Sequence, residues 1–309
     1  MNEHLGEIAA LLTSVSWTVT ALSFEYAAKR IGSLALNVLR LAVALGLFAL
    51  VGLLLRGQAL PLGASGEAWL WLSLSGLVGF VFGDIFLFQA YIDIGARMTQ
   101  VVFVSSPLIT AVIGYFVLGE RIAPVGAAGM VLVVAAIAWV VFGGGPSDGE
   151  SAENEGPGLE VARRARRGRG VFFAFLGALG QSGGLILSKI GAPSFDPFAA
   201  TQIRVIAGLA GFIVMAAFAR RLREPVAACK NIPALKALGV GAFFGPFIGV
   251  TLGLYAVQRT SSGIAATLMG LTPILIVIPS VLIRKERIRT REVAGAAVAV
   301  FGSTLIFFR

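Results

Sequence analysis

The stretches SGLVGFVFGD (75–84) and GAFFGPFIGV (241–250) decide the reading of this chain. Set 166 positions apart, they place Gly79 on Gly245 and Gly83 on Gly249. The same offset over residues 75–142 places Pro107 on Pro273, Gly129 on Gly295 and Glu120-Arg121-Ile122 on Glu286-Arg287-Ile288. Toward the N-terminus, an offset of 164 over residues 6–56 lays Gly6 on Gly170 and Arg40 on Arg204. Each copy holds five long apolar segments. An odd number sends the second copy into a membrane from the opposite side, so the pattern predicts an inverted repeat. Such repeats put a substrate site near the bilayer midplane and let access alternate between the two faces.

Composition sets the class. Hydrophobic residues make up 57% of the chain and charged residues only 13%, and the mean hydropathy is +0.88. A water-soluble domain of 309 residues would leave too much apolar surface uncovered. An apolar run of about 17 residues or more reaches across ~30 Å of hydrocarbon as a helix. Ten spans follow, over residues 8–28, 34–55, 68–90, 98–118, 124–142, 170–190, 197–219, 236–257, 262–283 and 291–308. The runs are continuous rather than alternating, which favours helices over a barrel. The domain reading is a first repeat over 1–142, a linker over 143–169 and a second repeat over 170–309. The start, Met1-Asn2-Glu3-His4, lacks the basic region of a cleaved secretion signal.

The net charge of +9 would suggest nucleic acid in a soluble chain, but here the basic residues sort by membrane side. The loops after spans 1, 3, 5, 7 and 9 hold 18 Lys/Arg; the opposite face holds five, Arg56, Arg121, Lys189, Arg259 and Arg309. The remaining two, Arg40 and Arg204, fall inside spans 2 and 7. The rich face is predicted to be cytoplasmic, with both termini outside and the chain in a bacterial inner membrane. Residues 143–169 end in Arg163-Arg164-Ala165-Arg166-Arg167-Gly168-Arg169. They read as a flexible joint whose arginines fix topology, or as a basic segment lying on anionic membrane lipid.

Cys229 is the lone cysteine and His4 the lone histidine. This excludes an intramolecular disulfide, a Cys/His metal cluster and a Cys–His catalytic couple. No GxxxxGK[ST] loop occurs, so ATP coupling within the chain is not expected, and neither is a cofactor. Transport energy would come from a proton or counter-substrate gradient.

Small residues recur every four positions at Gly241, Gly245, Gly249 and Gly253, and at Ser75, Gly79 and Gly83. That spacing permits close helix approach, and predicts a tight seam between spans 3 and 8. Pro107 and Pro273 each remove a backbone donor and free a carbonyl four residues earlier, at Phe103 and Met269.

Ser106-Pro107 through Leu118-Gly119-Glu120-Arg121, with Gly129 following, resembles the end of an EamA repeat of the drug/metabolite transporter superfamily. Ser262 to Arg287, with Pro273, Glu286 and Gly295, is similar, and Arg40 and Arg204 stand where that repeat usually carries an arginine. The resemblance covers nearly the whole chain apart from 143–169. Copy two departs from it at Lys285, where copy one has Gly119, and at Arg289 and Arg291. The resemblance implies an all-α integral membrane protein of ten transmembrane helices as two inverted five-helix repeats. It also implies export or exchange of amino acids, metabolites or drugs.

Candidate substrate contacts come from depth and periodicity. Thr13, Ser16, Thr20 and Ser23 form a hydroxyl stripe on span 1 with Trp17 beside it near the midplane. Gln181 matches Trp17 in copy two, flanked by Ser182. Span 8 adds Thr251, Tyr255 and Gln258, and span 4 adds Ser106 and Thr110. An apolar cavity with a few polar anchors suits a small amphipathic molecule; the other reading is that the hydroxyls bond their own backbones and Trp17 packs. Arg40 and Arg204 either meet a carboxylate or phosphate on a substrate, or snorkel and cap carbonyls. Asp84, the one carboxylate deep in a span, enters from the same face as Arg40 and is expected to pair with it. It is read as a fixed partner or as a proton carrier. Glu120 and Glu286 read as loop ion pairs. The functional expectation is a secondary carrier of a small organic solute, not an enzyme. A membrane-embedded lipid-handling protein or enzyme is the alternative, and would need an acid/base or metal set that the sequence does not supply.

Overall fold

A computed structural model describes residues 4–119, 123–142, 157–191, 195–259, 268–282 and 290–306. Glu120, Arg121, Glu286 and Arg287 lie outside them, as do the first part of the expected linker, the start of span 9 and the side chain of Gln258. The described residues are helical, with no strand among them. Helix α1 runs over Leu5–Arg56, 52 residues. At helical rise that is about 78 Å, more than twice a hydrocarbon core. It is divided at Gly32, whose φ of 78° and ψ of 161° are non-helical. Next, α2 (Gly66–Gly76) passes through a π-helical turn, Leu77–Gly83, into α3 (Asp84–Phe103). That stretch is divided in the same way at Gly95, φ 76° and ψ 162°. Where the sequence suggested short loops between spans, single glycines suffice, because only a residue without Cβ adopts this backbone cheaply. Replacing Gly32 by alanine should cost about 1–3 kcal/mol of backbone strain alone, since nothing lies within 4 Å of the added methyl. At Gly95 the methyl would also press on Glu25 Oε1 at 3.3 Å, so Gly95→Ala should melt below Gly32→Ala in detergent.

After α4 (Ser105–Leu118) and α5 (Pro124–Phe142), α6 covers Pro157–Gly191. Residues 157–169 are therefore helix, not a flexible joint. Their alanines and arginines favour helix, and Arg169 binds Asp93 through Nε at 2.9 Å and Nη2 at 2.8 Å. Helix α7 (Pro197–Phe218) starts on Asp196, whose Oδ2 accepts from Ala199 N at 2.9 Å and from Arg56 Nη1 at 2.6 Å. Partial burial of Asp196 opposes ionisation, but the bonds from Arg56 and the α7 backbone outweigh it and hold the carboxyl below its ordinary value. The stability this lends is present above the unfolded-state carboxylate pKa and is lost as pH falls through the folded value.

Helices α8 (Arg223–Ala228) and α9 (Ile232–Ala242) lead into a second π-helical turn, Phe243–Gly249, and then α10 (Val250–Arg259). Helices α11 (Thr272–Leu275), α12 (Val277–Leu282) and α13 (Thr290–Ile306) follow. The expected continuous span 9 is broken into short pieces where Pro273 and Pro279 remove donors. The carbonyl freed at Met269 accepts the Thr272 hydroxyl at 3.1 Å.

Among the described residues, five helical stretches are long and apolar enough to cross a membrane: Leu5–Arg56, Gly66–Phe103, Ala162–Gly191, Pro197–Phe218 and Ile232–Ala256. Shorter apolar helices cover Ser105–Val117, Pro124–Val140 and Thr272–Leu282. Leu54, Leu55, Phe116, Phe218 and Leu282 are exposed, whereas Asn37, Arg40, Asp84, Gln202 and Arg204 are buried. Polarity runs opposite to that of a soluble protein, as an apolar surrounding requires.

Candidate functional site: a charge cluster beside two matched helix seams

The two π-helical turns, Leu77–Gly83 and Phe243–Gly249, are 166 residues apart, the offset of the repeat. They pack on different helices. The Gly66–Phe103 stretch lies along α6, and the Ile232–Arg259 stretch lies along the first half of α1. The expected seam between spans 3 and 8 is therefore replaced by two others, 3 with 6 and 8 with 1. These match position by position. A Cβ on Gly245 would meet Thr20 Cγ2 at 2.7 Å, and its image, a Cβ on Gly184, would meet Gly79 Cα at 2.9 Å. A Cβ on Gly249 would meet Trp17 Cδ1 at 2.7 Å; the image is Gly83 against Gln181 N at 3.2 Å. Gly241 faces the Phe24 ring, and the image pair is Ser75 and Ser188, hydroxyls 2.7 Å apart. Helices α5 and α13 pack on each other in the same sense: Gly295 lies near Ala136 O, and Gly302 near Gly129 O.

The hydroxyl stripe has its explanation here. Thr13, Ser16 and Thr20 correspond at offset 164 to Gly177, Gly180 and Gly184, so the stripe is the narrow face by which the first helix of each repeat enters its seam. The hydroxyls return to their own helix, Thr13 to Ala9 O and Thr20 to Ser16 O, each at 2.8 Å, and Thr251 to Phe247 O at 2.6 Å. Trp17 is half-buried against Gly249 and makes no hydrogen bond among the described residues. Tyr255 sits apart, packed with Ala9, Ala10 and Met269 and beneath the Arg259 guanidinium. Ser106 joins Ser182, hydroxyl to hydroxyl at 3.0 Å, tying α4 to α6 one residue from Gln181.

Four of the expected residues converge. Arg40 Nη2 and Asp84 Oδ2 are in direct contact, both side chains buried. The π-helical turn ends at Gly83, so Asp84 opens α3 against α6, where Gln181 Nε2 donates to its Oδ1 at 2.7 Å and to Gly79 O at 3.2 Å. Asn37, one helical turn before Arg40, accepts from Arg40 Nε at 2.9 Å and donates to Ser33 O at 3.1 Å and to Asp84 O at 3.4 Å. The i, i+3 spacing with Arg40 is the sequence signal for Asn37. Arg204 enters from α7 with its backbone against Gly76. Its guanidinium lies 5.0 Å from the centre of the Phe80 ring; Arg40 lies 5.6 Å from the same ring. Arg204 is 5% exposed, and no hydrogen bond or ion pair satisfies it among the described residues; its Nε is buried without a partner. The matched arginines of the two repeats thus flank one aromatic ring beside one carboxylate, and that carboxylate is committed to Arg40. Copy two has Val250 at the position of Asp84.

The described residues thus pack as two matched halves of an all-helical membrane protein around buried charges. The family model for EamA-like transporters matches residues 4–142 and 168–308, and the chain belongs to that family, within the drug/metabolite transporter superfamily. A solved structure, described only as a crystal structure of a protein, superposes with a TM-score of 0.62 at 19% identity, over 97% of this chain and 95% of its own. At that identity it shows the fold alone. A comparison with curated proteins gives no match.

Proposed function

We propose that the chain is a secondary carrier of a small organic solute, built as ten spans in two inverted five-helix repeats and working by alternating access in a bacterial inner membrane. The observation that supports this is the pair of matched seams: each repeat lends its first helix to the π-turned third helix of the other. Breaking one seam while keeping the other exposes the charge cluster from one side only. The Gly32 and Gly95 divisions support the ten-span count: the first turns an overlong helix into two of span length, and the second ends one span and starts residues 96–103, which lead on into α4. Asp84, bonded to both Arg40 and Gln181, serves as a fixed counter-ion. Purified protein in liposomes should give solute counterflow from at least one member of an amino-acid and metabolite panel. Absence of flux across that panel would leave the lipid-handling reading in its place. In a Cys229→Ser background, Glu155→Cys should react with an impermeant maleimide only after cells are opened; labelling of intact cells would reverse the topology.

A further inference from the structure

We propose that Arg204 anchors an anionic group, a carboxylate, on the transported solute. This deepens the carrier reading and rests on it. The cluster holds two buried guanidinium groups and one carboxylate. Both Asp84 oxygens are engaged, Oδ2 by Arg40 and Oδ1 by Gln181. Arg204 is left with Phe80 beneath it and, among the described residues, no hydrogen-bond acceptor, its Nε being buried without a partner. Burying a second cation beside a single carboxylate already bonded to Arg40 is costly, so an intramembrane arginine in this position is retained for what it binds. The site has a floor. Arg204 Nη2 lies 3.3 Å, and Gln181 Oε1 3.9 Å, from the point where a Cβ on Gly79 would sit. Absence of a side chain at 79 leaves the guanidinium edge uncovered on the side of the 3–6 seam. Gly184 closes that side in this state, its own Cβ position 2.9 Å from Gly79 Cα, so a solute reaches Arg204 only when the seam parts. A carboxylate there would balance the surplus charge and give Arg204 the paired donors it lacks. Repeat one offers no second such site, because Arg40 already has its carboxylate.

Two measurements on full-length protein decide this. The first is thermal stability in detergent without solute. An arginine that holds structure loses stability when replaced, whereas one kept for a ligand costs the empty protein. Arg204→Gln should melt at or above wild type, and Arg40→Gln well below it; melting of Arg204→Gln far below wild type overturns the proposal. The second uses monocarboxylates of three to six carbons, as 2-amino and 2-oxo acids, each beside its primary amide. At least one acid should drive counterflow and raise the wild-type melting temperature while its amide does neither. Arg204→Gln should weaken that response roughly tenfold or more, the loss of a charge-assisted bond. Amides as effective as acids, an unchanged response in Arg204→Gln, or no acid response at all overturns the anion site. Flux of neutral solutes alone would do so while sparing the carrier reading. Acid-dependent stabilisation through Arg204 without any flux would instead retain the site and remove the carrier.

Discussion

Arg40→Met should lower stability by about 3–5 kcal/mol, the range seen when one partner of a buried ion pair is deleted. Arg40 and Asp84 are each 3% exposed. Methionine approximates the arginine stem and keeps contact with the rings of Phe24, Phe80 and Phe88 that surround it, so the loss isolates charge from packing. It also orphans Asn37 Oδ1. Gln181 still donates one bond to Asp84, but an amide does not neutralise a carboxylate. Adding Asp84→Asn should therefore recover much of the loss, a coupling that a double-mutant cycle reads directly. Reversible unfolding in mixed SDS micelles supplies the free energies. A single-mutant loss under about 1 kcal/mol would place the pair in the class of solvated surface bridges instead.

Gly180→Ala should be nearly as damaging, and in a way that no partner substitution repairs. The added methyl would sit 2.5 Å from Gly83 Cα and 2.7 Å from Gly83 N, backbone that cannot rotate aside. The helices must separate, at about 3 kcal/mol or more. In the other seam, Gly245→Ala meets the Thr20 side chain, Cγ2 at 2.7 Å and Oγ1 at 3.1 Å. Thr20→Ala should largely restore Gly245→Ala. No truncation of Phe82 should restore Gly180→Ala, because Phe82 Cδ1 is only the third-nearest atom, at 2.9 Å. Yields of folded protein and melting temperatures of the two pairs check this.

How far the sequence carried depends on the kind of question. Internal repetition was legible because Gly79, Gly83 and Gly129 recur at one offset, and a packed glycine is hard to replace. The Asp84–Arg40 pair was legible because two opposite charges at similar depth in hydrocarbon have few other ways to be satisfied. Pairing of helices was not. A run such as Gly241, Gly245, Gly249 says that one face is narrow, not which helix fills the groove. The filler was hidden because copy one builds it from Thr13, Ser16 and Thr20 and copy two from Gly177, Gly180 and Gly184. Read alone, the first set looks like a polar binding stripe; read at the repeat offset, both are small faces. The difference between Arg40 and Arg204 was legible in part, since copy two has Val250 where copy one has Asp84; that Gln181 and Asn37 complete the Arg40–Asp84 pair was not. The helix over 157–169 is masked in the sequence because its arginines are at once topology-setting charges and good helix formers.

The proposed alternating opening of the seams is tested most directly by fastening one. Ser75 and Ser188 face each other across the 3–6 seam with hydroxyl oxygens 2.7 Å apart, which brings cysteines at the two positions within reach of a disulfide. In a Cys229→Ser background carrying Ser75→Cys and Ser188→Cys, oxidation should bring counterflow in liposomes down to the protein-free background, and reductant should restore it. Undiminished flux through fully cross-linked protein would show that the seam need not part, and would contradict the account.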